Sequence, residues 1–95
     1  MEAAFSLIMR AIKLSGREAS VVKAIGFTEG AIGAEIQDVT HMELEDVAEA
    51  VNSLIAAGFV ESVPYYEEVQ LAEMSATAFE INPAYASQLK QAVRR

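Results

Sequence analysis

Apolar residues recur along this chain with two different periods, and the change of period divides it. Phe5, Ile8, Met9 and Ile12 fall at i, i+3, i+4, i+7, one face of a helix over about residues 3 to 14. Leu7, Ala11 and Leu14 widen that face until only Ser6, Arg10 and Lys13 stay polar. A helix this apolar needs cover on most sides, from the rest of the chain or from a second copy. Ser15 and Glu18 then have the S-x-x-E spacing of a capping box, in which each side chain satisfies a free amide at a helix start. The helix this predicts, about residues 17 to 26, turns Val21, Val22 and Ile25 inward and ends at Gly26. A third, about 30 to 39, has Ile32, Ile36 and Val39 on one side, and Gly30 and Gly33 each weaken it by roughly 1 kcal/mol relative to alanine.

Thr40 and Glu43 repeat the capping-box spacing before the most regular helix of the sequence. Leu44, Val47, Ala48, Val51, Leu54 and Ile55 form one amphipathic stripe, and Gly58 caps its end. The period then drops to two. Phe59, Glu61 and Val63, and later Val69, Leu71, Phe79 and Ile81, alternate with neighbours on the other face, as strands do. Pro64 and an acidic, tyrosine-bearing segment up to Ser75 separate the two runs, so residues 59 to 82 read as a β-hairpin with a long tip. Asn82-Pro83 sets an N-cap and a first-turn proline for a last helix, about 83 to 94, presenting Tyr85, Leu89, Ala92 and Val93. Lys90, Arg94 and Arg95 stand at the negative end of its dipole.

With 95 residues, 53% of them hydrophobic, the chain is too short for two cores and too apolar for disorder, so residues 1–95 are expected to form a single domain. The absence of cysteine excludes a disulfide framework, a thiolate zinc site and a cysteine nucleophile. The longest stretch without charge, Ala50 to Val60, falls short of the roughly 20 residues of a membrane span. Glu2 stands where a signal peptide carries positive charge and Arg10 interrupts the apolar run, so the cytoplasm is the expected location.

Fourteen acids against seven bases give a net charge of −7, unevenly distributed. Between Ala24 and Leu89 there is no lysine or arginine, while every acid except Glu2 and Glu18 lies there. A chain charged in this way repels nucleic acid and anionic membranes as a whole.

Three helices followed by a hairpin is the order of a winged helix-turn-helix domain. The run AIGAEIQDVTHMELEDVAEAVNSLIAAGFVES, residues 31 to 62, resembles the helix-turn-helix and first wing strand of bacterial and archaeal winged-helix regulators. Within it I-x-x-E-I spans Ile32 to Ile36, and L-x-x-x-G-[FL]-[VI] spans Leu54 to Val60. FEINPAYASQLKQAV, residues 79 to 93, is similar to the second wing strand and terminal helix of the same class. The resemblance implies an α+β, mostly helical fold with added N- and C-terminal helices and a two- to three-stranded wing. In it residues 17 to 58 hold the helix-turn-helix, residues 43 to 57 the recognition helix and residues 64 to 75 the wing. It also implies a role in gene regulation or DNA transactions.

The chain departs from that family where DNA would be read. Sequence readers insert the start of the recognition helix into the major groove and depend on lysine and arginine contacts to phosphate. Here that helix brings Glu43, Glu45, Asp46 and Glu49. Each close carboxylate and phosphate pair costs roughly 1 kcal/mol even in a water-like dielectric. The expected function is therefore that of a non-enzymatic regulator acting mainly through protein contacts, with a basic protein partner and homodimerisation by the first and last helices. The alternative is a direct sequence-specific DNA-binding transcriptional regulator using Arg10, Lys13, Arg17, Lys90, Arg94 and Arg95 as phosphate contacts, brought together by dimerisation.

Each candidate also has a plain structural role. The four acids stabilise a helix N-terminus by about 0.3 to 1 kcal/mol each. Arg10, Lys13 and Arg17 form a basic stripe only if the first helix continues past Ser15, and otherwise a solvated edge. Tyr65 and Tyr66, beside Glu67 and Glu68, are adjacent, so in a strand one packs inward while the other is free to anchor a partner. His41 has Asp38 and Glu45 at i−3 and i+4, but it is the chain's single histidine and no metal site is expected. Without a glycine-rich phosphate loop or a Ser-His-Asp set, no catalytic residue and no cofactor are expected either.

Overall fold

The computed structural model describes residues 12–94, and Ser15 opens the first helix among them. The Ser15 hydroxyl accepts the Glu18 amide at 3.1 Å and the Glu18 carboxylate accepts the Ser15 amide at 2.9 Å, completing the expected capping box. Helix α1 (Gly16–Ile25) follows and stops at Gly26, whose φ of 77° is readily open only to glycine. Residues 12 to 14 are irregular, so the helix expected over residues 3 to 14 does not include them. The remainder of that expectation, with Arg10, lies outside the described residues, as does Arg95.

Val21, Val22 and Ile25 are buried because α1 is the central helix. It touches the three longer helices that follow it and the last strand. A short strand, β1 (Ala31–Ile32), runs directly into helix α2 (Gly33–Thr40). This corrects the helix expected from residue 30. Only Ile36 of its three apolar positions enters the core, while Ile32 is 37% and Val39 64% exposed. Ile32 belongs to the strand, and its amide is held by the Glu35 carboxylate at 2.9 Å.

The second capping box does not form. Thr40 lies in the last turn of α2, where its hydroxyl donates to the Ile36 carbonyl at 2.7 Å and accepts the Met42 amide at 3.3 Å. The left-handed turn at His41, φ 59°, ends α2, and helix α3 (Leu44–Ala56) starts after Glu43 without a side-chain cap. The α3 stripe is as expected, with Val47, Ala48, Val51, Leu54 and Ile55 buried and Leu44 partly so. Its end is a Schellman motif: Gly58, φ 86°, donates to the Ile55 carbonyl and Phe59 to that of Leu54, both at 3.0 Å.

Strands β2 (Val60–Val63) and β3 (Ala78–Ile81) complete a three-stranded antiparallel sheet in the order β1-β3-β2. The register pairs Val60 with Ile81, Glu61 with Glu80, Ser62 with Phe79, and Ala78 with both Val63 and Ile32. Val60, Ser62, Phe79 and Ile81 face the helices and are buried. Glu61, Val63, Glu80 and Ile32 face the other way and are exposed. Ser62 is acceptable inside because its hydroxyl accepts the Tyr66 amide at 2.7 Å. Val69 and Leu71 are not in strands: Val69 is buried in the connecting loop, and Leu71 begins a single turn, α4 (Leu71–Met74).

Asn82 then caps a 3₁₀ turn (Pro83–Tyr85) that leads into α5 (Ala86–Val93), where Leu89 is buried. The result is an α+β arrangement with the longer helices packed against one face of a small antiparallel sheet. Its core is made by α1, α3, Ile36, Leu89 and the inward strand residues.

Candidate interaction surface

Charge on α3 follows from the same periodicity that buries its apolar stripe. Glu45 and Glu49, four residues apart and off the apolar stripe, are exposed on one side, with Glu43 exposed just before the helix and Asp46 half-buried. Arg17 reaches across from α1, with its guanidinium 3.4 Å from Asp46 and 3.9 Å from Glu49. Arg17 and Glu49 are solvent-exposed and Asp46 only half-buried, so each of the two ion pairs contributes at most about 1 kcal/mol. Together they turn a candidate phosphate contact toward carboxylates of its own chain. Glu18 binds the same helix, its carboxylate accepting the Ser53 hydroxyl at 2.8 Å.

A residue that sequence reasoning missed builds the other side of the surface. Asn52 donates to the Val69 carbonyl at 3.0 Å and accepts the Val69 amide at 2.9 Å, so its carboxamide pairs with that residue as a neighbouring strand would. This holds the loop after β2 against α3 and buries Val69. A lone polar residue beside an apolar stripe is the only trace of such a clamp in the sequence, since its partner is a backbone amide 17 positions away. The clamp brings Glu68 opposite Glu45 and Glu49 across a shallow cleft of about 270 Å³, which Ala48 and Leu71 also line. Asn52→Ala is expected to cost about 1 to 3 kcal/mol, the penalty for a buried backbone group left unpaired. Hydrogen exchange should show the Val69 amide losing protection before the rest of the core.

Tyr65 and Tyr66 are 67% and 41% exposed, so neither packs inward as the alternation of a strand required. β2 ends at Val63, before them, and the two-residue period no longer applies. They lie on the same loop as Glu68 but do not line its cleft. Glu67 is exposed beside them. His41 and Asp38 border a separate depression with Ala34, Gln37 and Met42, and Glu45 is not part of it. No group of three or more His, Cys, Asp or Glu side chains is gathered as metal ligands among the described residues.

Of the other basic candidates, Lys13 is exposed in the irregular segment before α1, and Arg94 is exposed at the end of α5. The Lys90 ammonium sits 5.5 Å from the centre of the Phe27 ring, in cation–π range. The dimer interface expected of the first helix lies, for residues 3 to 11, outside the described residues. No helix among the described residues is long and apolar enough to cross a membrane. Comparison with protein-family models, with curated proteins and with solved structures returns no match.

Proposed function

We propose that this chain is a non-enzymatic winged-helix module of a gene-regulation or DNA-transaction system, and that it binds a basic segment of a partner protein. The binding surface is the one shared by α3 and the loop after β2. The element order supports the winged-helix reading: α1, β1, α2 and α3 precede an antiparallel hairpin whose second strand pairs with β1. On that reading α3 is the recognition helix and residues 64 to 75 are the wing.

The observation that carries the function is the cleft itself. Glu45, Glu49 and Glu68 converge there from two elements around the exposed Leu71. A lysine or arginine side chain suits such a place, laying its apolar stem on Leu71 and Ala48 and its charge among the carboxylates. A duplex docked by this helix would instead set phosphates against the same groups, with Arg17 already facing Asp46 and Glu49.

The test compares a fluorescent lysine-rich peptide with a labelled DNA duplex at low and moderate salt. The peptide is expected to bind, and the triple change Glu45→Gln, Glu49→Gln and Glu68→Gln to weaken it at least tenfold. Roughly 1 kcal/mol per lost close pair predicts a loss of that order or more. The duplex should not be retained even at low salt. Tight duplex binding together with peptide binding that ignores the three substitutions would overturn the reading.

A further inference from the structure

The outward face of the sheet carries a pattern that neither the core nor the α3 surface uses. Ile32, Ala78 and Val63 stand side by side across all three strands, because Ala78 pairs with both of the others. Ile32 and Val63 are 37% and 49% exposed. Val39, on the helix that follows β1, is a further exposed apolar side chain, 64% exposed. One pleat further along the strands, Glu61 and Glu80 stand directly opposite each other, both exposed. Like charges in that register destabilise a sheet, so folding alone gives no reason for the pair.

We infer that this face is a second docking surface, separate from the acidic cleft, and that its occupant is a basic amphipathic helix of a partner protein. The dimensions fit. Ile32 to Val63 spans two inter-strand spacings, about 10 Å, which matches the i to i+7 rise of a helix laid across the strands. The Glu61–Glu80 row runs parallel to it about 7 Å away, two residues along each strand, where one flank of such a helix carries its next side chains. Apolar residues on the helix cover the Ile32–Ala78–Val63 row, and lysines or arginines on that flank neutralise the two carboxylates. Charge decides against a second copy of this chain, since docking the same face would bring another Glu61 and Glu80 to a face that already sets two carboxylates side by side.

The experiment titrates the isotope-labelled full chain with a synthetic 18-residue Leu/Lys peptide of helical amphipathic pattern, followed by amide chemical shifts. A peptide of the same composition in scrambled order serves as the control. Shifts are expected at Ile32, Glu61, Val63, Ala78 and Glu80, with affinity at least tenfold above that of the scrambled peptide. The double change Glu61→Gln and Glu80→Gln should weaken binding at this face about tenfold or more, as should Val63→Ser. All three positions are exposed, and melting temperatures no lower than that of the unchanged chain would show that the fold is intact. Neutralising Glu45, Glu49 and Glu68 should leave this footprint in place, which separates the result from that of the acidic cleft. A footprint confined to α3 and residues 64 to 70, equal binding of the scrambled peptide, or concentration-dependent self-association through the sheet would each overturn the inference.

Discussion

Gly33→Ala is expected to destabilise the fold by about 2 to 4 kcal/mol, at or above the usual range for overpacking, as a shift of the urea unfolding midpoint. The reason is space and not backbone conformation. A β-carbon on Gly33 would lie 2.0 Å from the Met74 carbonyl oxygen and 2.7 Å from its carbon. Both atoms are backbone, so no side chain can swing aside to make room. The crowding has a structural purpose, because Gly33 donates to the Thr77 carbonyl at 3.1 Å and Ala34 to the Ser75 carbonyl at 3.0 Å. The first turn of α2 is thereby docked on the segment that leads into β3. Alanine would have to push the two apart and weaken both bonds. Gly16→Ala is the matching control: a β-carbon there meets nothing within 4 Å, so the change should cost nothing measurable.

Leu54→Ala is expected to cost about 2 to 5 kcal/mol, the range for emptying a fully buried leucine position whose surroundings collapse only in part. Leu54 lies in the core beside Val51 and Ile55, one turn before the Schellman motif that its own carbonyl helps to close. The loss should therefore appear in chemical denaturation as a lower midpoint with an unchanged slope. Val39→Ala, which removes apolar atoms from an exposed position of α2, should change stability by no more than about 0.5 kcal/mol. A sequence reading that placed both residues in the core would expect losses at both.

That contrast shows what periodicity could reveal and what it could not. The α3 stripe, the Ser15–Glu18 box and the Asn82-Pro83 start were legible because each is made by residues within a few turns of one another. The apolar spacing of Ile32, Ile36 and Val39 was helical in form, yet only Ile36 is covered, since Ile32 had been recruited to pair with Ala78 in the sheet. Gly33 looked like a weakness in a helix and is a contact point between two backbones. Thr40 and Glu43 had the right spacing for a cap, but the left-handed turn at His41 put the threonine at the end of one helix and the glutamate before the next. In the candidate site, the acids of α3 could be named from the sequence. Their meeting with Glu68 depends on the Asn52–Val69 clamp, a tertiary bond between positions with no mutual pattern. The Glu61–Glu80 opposition likewise exists only once the register of the hairpin is fixed.

Asn82 gives the molecule a corner that only one side-chain chemistry can turn. Its carboxamide nitrogen donates to the Gly58 carbonyl at 2.8 Å while its oxygen accepts the Ala84 amide at 3.0 Å, and its own amide pairs with the Phe59 carbonyl at 2.9 Å. The exit of α3, the foot of the hairpin and the entry to α5 thus share a single joint. An aspartate would serve the entry equally well but would set a carboxylate against the Gly58 carbonyl; a serine would cap the turn without the reach to cross it. The direction in which α5 leaves the body is consequently set by the far end of α3, with the edge-to-face stack of Phe59 on Tyr85, 5.1 Å between ring centres, bracing the same angle from the other side.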